Sequence, residues 1–196
     1  TLVGEGAYVK YEMWLRRQES ELAGRVGLSG SFFAIRRELC EDGDIHSPSD
    51  FNSALNTVKA GKRSISAPDV IGIYQDLKNP QQEYARKVRT VIRGMTGLSR
   101  HAEIMNPFVY GWFGVQVISH KLFRWMTPWF LIMLFIVNAM LANESLTYFL
   151  MFLGHLGFYG CAFIAHILPQ LKRFSLIRII YFFVMANIAL FEASVR

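Results

Sequence analysis

One carboxylate and one row of guanidinium groups are the side chains of this sequence best suited to chemistry. Asp50 ends the run Ser47-Pro-Ser-Asp50, in which a capping serine, a proline and an acid three residues after the cap signal the start of a helix. There it can act as the acid of a capping pair or, with a hydroxyl in reach, as a general base. Arg86, Arg89 and Arg93 recur at three- and four-residue spacing, which puts them on one helix face. Such a row binds phosphate oxygens bidentately, whether they belong to lipid headgroups or to a diphosphate. The loop from Cys40 to His46 holds Glu41, Asp42 and Asp44 around Gly43, but it lacks the ligand spacing of a calcium loop and is assigned no metal. Gly27 and Gly30 flank a tight approach, read as a turn. His155 and His166, three helical turns or roughly 16 Å apart, cannot share an ion. They are read as packed polar groups, or as the lining of a pathway. Cys40 and Cys161 lie in a polar and an apolar stretch and are read as free thiols.

The elements that must position these groups follow from periodicity. Residues 5 to 22 read as a helix, with Tyr8, Tyr11, Met13, Trp14 and Leu15 as an aromatic stripe expected in the core. Ser31-Phe-Phe-Ala-Ile35, bounded by glycine and by Arg36-Arg37, reads as a strand of a covered sheet. The helix that Ser47 opens carries Phe51, Ala54, Leu55 and Val58 inward and stops at Gly61, with Lys59 and Lys62 at the negative end of its dipole. Arg63 to Tyr74 reads as extended, with Pro68 confining it to an edge or an irregular strand. Gln81 to about Gly94 reads as an amphipathic helix that sets the arginine row against Tyr84, Val88, Val91, Ile92 and Met95. The apolar stretch Phe108 to Ile118 is expected to lie in a membrane interface.

Charge then disappears. Of 21 Lys and Arg and 15 Asp and Glu, residues 126–196 hold six in all. A helix needs about 20 apolar residues to cross the hydrocarbon core, and 126–142, 146–168 and 176–191 each approach that length. Lys121 and Arg124 precede the first span, and Lys172, Arg173 and Arg178 separate the second from the third, so residues 1–125 are expected in the cytosol and the last residue outside. The net charge of +6 gathers beside these spans, which favours anionic headgroups or a diphosphate over nucleic acid as counter-charge.

Gly30-Ser-Phe-Phe-Ala-Ile-Arg-Arg-Glu-Leu39, Ser49-Asp-Phe51, Tyr84-Ala-Arg-Lys-Val-Arg-Thr-Val-Ile-Arg-Gly94 and His120-Lys-Leu-Phe-Arg-Trp125, in that order before an apolar bundle, resemble the C-terminal half of membrane-integrated family 2 glycosyltransferases of the polysaccharide synthase type. The resemblance implies an α/β remnant of a GT-A domain over residues 1–80, interfacial helices over 81–125 and a three-helix transmembrane region over 126–196. It implies inverting transfer of a sugar from a nucleotide-sugar donor to a glycan or lipid-linked acceptor, at the cytosolic face of a bacterial inner or plasma membrane. Asp50 matches the acid that deprotonates the acceptor. Arg86 to Thr90 aligns with the family's Gln-x-x-Arg-Trp segment, where Arg89 matches, Arg86 replaces the glutamine and Thr90 the tryptophan. Arg86, Arg89 and Arg93 would then face the diphosphate, while loss of the tryptophan removes the usual cradle for a growing chain. The nucleotide-binding strands and the family's metal-binding Asp-x-Asp element for Mg²⁺ or Mn²⁺ are expected upstream of Thr1, so the 196 residues alone are expected to be inactive. The alternative is a membrane-anchored module that grips an anionic ligand, such as a cyclic dinucleotide, with Arg89-Thr-Val-Ile-Arg93.

Overall fold

The computed structural model describes residues 3–30, 32–40, 48–67, 69–70 and 80–196. Eight α-helices carry the described chain: α1 Val3–Leu22, α2 Ser49–Lys59, α3 Pro80–Arg100, α4 Pro107–Tyr110, α5 Trp112–Val117, α6 Phe123–Leu141, α7 Leu146–Ile167 and α8 Ser175–Val195. A π-helical turn, Ile118–Leu122, joins α5 to α6. Two units divide the chain, residues 10–124 and residues 1–9 with 125–195.

The expected α/β remnant is not what forms. Among the described residues there is no strand, and the architecture is all-α. Phe32 to Arg36 is irregular and leads into a short 3₁₀ turn, Arg37–Leu39. Its side chains alternate between exposed and half-buried, as a strand's would, but among the described residues no second strand supplies a ladder. The same holds for Lys62 to Ala67, whose contacts go to α1 and the loop after it. The Arg25 N–H donates to the Ser64 carbonyl (3.0 Å), the Ser64 hydroxyl to the Arg25 carbonyl (2.9 Å) and the Ser66 N–H to the Ser20 hydroxyl (2.8 Å). Ser31, the acidic loop from Glu41 to His46, Ser47, Pro68 and the end of the expected strand at Tyr74 lie outside the described residues.

In residues 10–124, α2 buries Phe51, Ala54 and Leu55 as its apolar period demands. It begins one turn position later than its cap signal suggests: Pro48 flanks the helix in extended conformation, and its carbonyl accepts from the Phe51 and Asn52 N–H groups. Gly61 ends it at φ 68°, in the left-handed region, with the Gly61 and Lys62 N–H groups donating to the Val58 and Thr57 carbonyls. α3 runs on past Gly94 to Arg100, with Gly94 and Gly97 both buried. α5 presses against the preceding chain at Gly114, where an added Cβ would lie 3.0 Å from the Ile104 carbonyl oxygen. Phe113 and Val117 are buried beside it, whereas Phe108 and Trp112 face outward.

α1 inverts one expectation. Tyr11, Met13 and Trp14 are more than half exposed, and the residue turned fully inward is Glu19, 5% exposed. The carboxylates can be buried because cationic partners meet them, while nothing among the described residues covers the aromatic stripe.

In the other unit, the chain has three helical runs long and apolar enough to cross a membrane: Trp112–Leu141, of which residues 125–141 belong to this unit, Leu146–Ile167 and Ser175–Val195. Small residues line the contact of the last two, with Ala162, Ala165, Ala189 and Ala193 buried. Phe135 packs on Phe152 and Tyr159, Phe158 on Phe183, and Trp129 on Phe191 while its indole N–H donates to the Ser194 hydroxyl (3.0 Å). Asn138, buried, donates from its amide to His155 Nδ1 (3.1 Å), and His166 Nδ1 lies 3.3 Å from the Tyr181 hydroxyl. Both histidines are thus partnered by neighbouring helices.

Candidate functional site

Asp50 lies in the first turn of α2, half-buried, and the loop after α1 passes directly over it. The Leu28 N–H donates to the Asp50 carbonyl (3.3 Å). A Cβ added at Gly30 would sit 3.1 Å from Asp50 Oδ2, so the loop backbone lies close against the carboxylate and any side chain there would crowd it. Among the described residues, Asp50 forms no ion pair. An acid that no cation holds can accept a proton from a substrate hydroxyl brought within hydrogen-bond distance.

Three residues earlier on the same loop, a Cβ at Gly27 would lie 3.4 Å from Lys121 Nζ. Lys121 belongs to the π-helical turn, and its ammonium also sits 5.5 Å from the centre of the Phe51 ring, the residue after Asp50. The glycine loop, the start of α2 and the π turn therefore converge on one place.

Behind it is a charge network. His120, adjacent to Lys121, pairs through Nδ1 with Glu19 and approaches Glu12 through Nε2 at 3.7 Å. Glu12 also meets Arg16 at 3.4 Å and Arg124 at 3.5 Å. Burial alone would raise the Glu12 pKa, but the surrounding charges of Arg124, Arg16 and His120 outweigh it and hold the carboxyl below the usual range. Burial, reinforced by Arg16, lowers the Arg25 pKa, and the Arg25 Nε is enclosed without a hydrogen-bond acceptor. The Gln116 amide donates to the Glu19 carbonyl (3.3 Å), which ties α5 to α1.

A second cluster fixes the other end of α2 to the segment after α3. Lys59 pairs with Glu103 at 2.5 Å and donates to His101 Nδ1 at 2.7 Å, while His101 Nε2–H donates to the Asn52 side-chain oxygen at 3.2 Å. The hydrogen bond from Lys59 keeps the Glu103 pKa below its ordinary value.

Arg86, Arg89 and Arg93 all occupy exposed positions on α3. Among the described residues none of them pairs with Asp50. Lys121 instead lies by Gly27 and over the ring of Phe51, the residue after Asp50. Sequence reasoning passed over Lys121, His120 and Glu19 as a site. The available signal was Glu12, Arg16 and Glu19 at four- and three-residue spacing on one face of α1.

The residues present do not form a cation site for the Mg²⁺ or Mn²⁺ that the family resemblance implies: among those described, no three His, Cys, Asp or Glu side chains converge. Protein-family models, curated proteins and solved structures give no match to this chain. The reading of the site rests on its own geometry and on the order of its motifs.

Proposed function

We propose that this chain supplies the acceptor side and the membrane part of an inverting glycosyltransferase. The sugar comes from a nucleotide-sugar donor and passes to a glycan or lipid-linked acceptor at the cytosolic face. The observation that carries the reading is Asp50, a half-buried carboxylate without a pairing cation among the described residues, close beneath Gly30, in a chain with three membrane-length helices.

Asp50 takes the proton of the acceptor hydroxyl as that oxygen bonds to the anomeric carbon. The bond from that carbon to the donor's phosphate oxygen breaks, and the nucleoside diphosphate leaves with the electron pair. Displacement from the opposite side inverts the centre. General-base assistance of this kind is worth about 10² to 10⁴ in rate. Arg86, Arg89 and Arg93 offset charge on the diphosphate. The divalent cation, Mg²⁺ or Mn²⁺, is held by residues outside this chain.

The test is sugar transfer by the full-length protein in nanodiscs, screened across nucleotide-sugar donors and glycan or lipid acceptors. Transfer from any donor with inversion supports the reading. Hydrolysis or transfer with retention, or no transfer by protein that is folded and membrane-inserted, counts against it.

A further inference from the structure

Lys172, Arg173 and Arg178 gather at the end of the bundle where α7 gives way to α8: the first two close the 3₁₀ turn Pro169–Arg173, and Arg178 lies near the start of α8. Cations ordinarily favour the C-terminal end of a helix, since the N-terminal end is itself positive. Residues 126–196 hold only two acids to offset them, Glu144 and Glu192. Glu144 precedes α7 at its far end, and Glu192 lies about 21 Å beyond Arg178 along α8. Among the described residues none of the three cations forms an ion pair. The Arg178 Nε is enclosed without a hydrogen-bond acceptor. What holds Lys172 and Arg173 is aromatic: the Lys172 ammonium lies 3.7 Å from the centre of the Tyr181 ring, and the Arg173 guanidinium 4.8 Å from that of Phe174. Tyr181 in turn stacks on His166 of α7, whose Nδ1 is 3.3 Å from the tyrosine hydroxyl. Arg178 and Tyr181 are neighbours at i and i+3 on α8, so Arg178 stands one turn from the ring that carries Lys172.

We propose that Lys172, Arg173 and Arg178 bind the phosphate of an anionic membrane lipid at this end of the bundle. The anion supplies the negative charge that no described residue of the bundle brings there, and its oxygens accept from two guanidinium groups and one ammonium. The N-terminal end of α8 favours the same sign of ligand. A phosphate free in solution offers the same oxygens, but the cations are set among exposed apolar side chains, Ile167, Leu168, Phe174, Leu176 and Ile179, which acyl chains cover and a soluble ion does not. Both α7 and α8 are long enough to cross a bilayer, which puts the turn between them at headgroup depth. Positive charge on such a turn also sets orientation, but orientation needs only charge, not aromatic supports and an enclosed guanidinium. A lipid site here depends neither on Asp50 nor on sugar transfer.

Native mass spectrometry of the full-length protein in detergent, titrated with phosphatidylglycerol and with phosphatidylcholine, tests this directly. Phosphatidylglycerol should bind about tenfold or more tightly than phosphatidylcholine, and Lys172→Gln and Arg178→Gln should each weaken it about fivefold while leaving phosphatidylcholine unchanged. Where Arg178→Gln does not fold, the double variant Lys172→Gln with Arg173→Gln carries the test and should bring the two lipids within about threefold of each other. Lys62→Gln, which removes a cation already paired with Glu38, should keep the preference intact. Equal affinity of the wild type for both lipids, an unchanged preference in the turn variants, or an equal loss in Lys62→Gln overturns the proposal. So does displacement of bound phosphatidylglycerol by inorganic pyrophosphate at equal concentration, because the site would then take a soluble phosphate.

Discussion

Residues 10–124 and the bundle formed by residues 125–195 handle buried polar groups in opposite ways. The first unit encloses Glu19 and half-encloses Glu12, and surrounds them with His120, Arg16, Arg25, Lys121 and Arg124. The second uses isolated polar contacts, Asn138 with His155, Trp129 with Ser194 and Lys172 over the Tyr181 ring, within a packing of rings and alanines. In lipid an unbalanced charge is expensive, so polar groups in the bundle are few, and among them the Arg178 Nε and the Asn187 side-chain oxygen are enclosed without a hydrogen-bond partner among the described residues. The contrast sets a network of ion pairs in the first unit against isolated polar contacts in the second.

The largest break in that contrast is expected at Glu19. Glu19→Ala leaves His120 and the neighbouring guanidinium groups without a buried counter-charge, and should lower stability by about 3 kcal/mol in a thermal or denaturant melt of the detergent-solubilised chain. A loss under about 1 kcal/mol would mean that the network is largely solvated. Gly114→Ala comes next, at about 1–3 kcal/mol, because backbone atoms of Ile104 and Asn106 lie 3.0–3.3 Å from the added carbon and have no easy way to move. In the bundle, Asn138→Leu should cost only about 0.6 kcal/mol, the usual size of an intramembrane hydrogen bond, and a cost as large as that at Glu19 would erase the distinction between the units.

Acid should act on the first unit through Glu12. Its folded pKa lies below the ordinary 4.5, so the stability it contributes is fully present above that value and is lost as pH falls through the lower folded value. The melting-temperature gap between wild type and Glu12→Gln should therefore be widest near neutral pH and narrow as the pH falls below 4.5. A gap that widens on acidification would reverse the assigned sign.

The helices were legible wherever apolar residues recur at helical period over several turns, as in α2, α3 and the three membrane-length runs. Reach beyond Gly94 was not, because a glycine that ends one helix is the close-packing residue of another, and only the neighbour decides. Phe32 to Ile35 misled for a different reason. Alternation describes a chain in extended form but cannot say whether a second strand exists to bond it. At the site, Asp50 was legible from its helix-start signal, while Lys121 was not. Its surroundings come from Gly27 and Phe51, both more than 60 residues away in sequence, and from the charges of α1. The arginine row on α3 was conspicuous in sequence for the opposite reason, since an exposed face announces its period without showing what it meets.

The central claim is that Asp50 is the base of a sugar transfer. It is tested most directly by comparing wild type and Asp50→Asn in the full-length, membrane-inserted protein, with transfer and donor binding measured side by side. Asp50→Asn should cut transfer by about 10² or more while donor affinity stays within a factor of about two. Transfer retained at the wild-type rate, or donor binding lost together with it, would contradict the assignment.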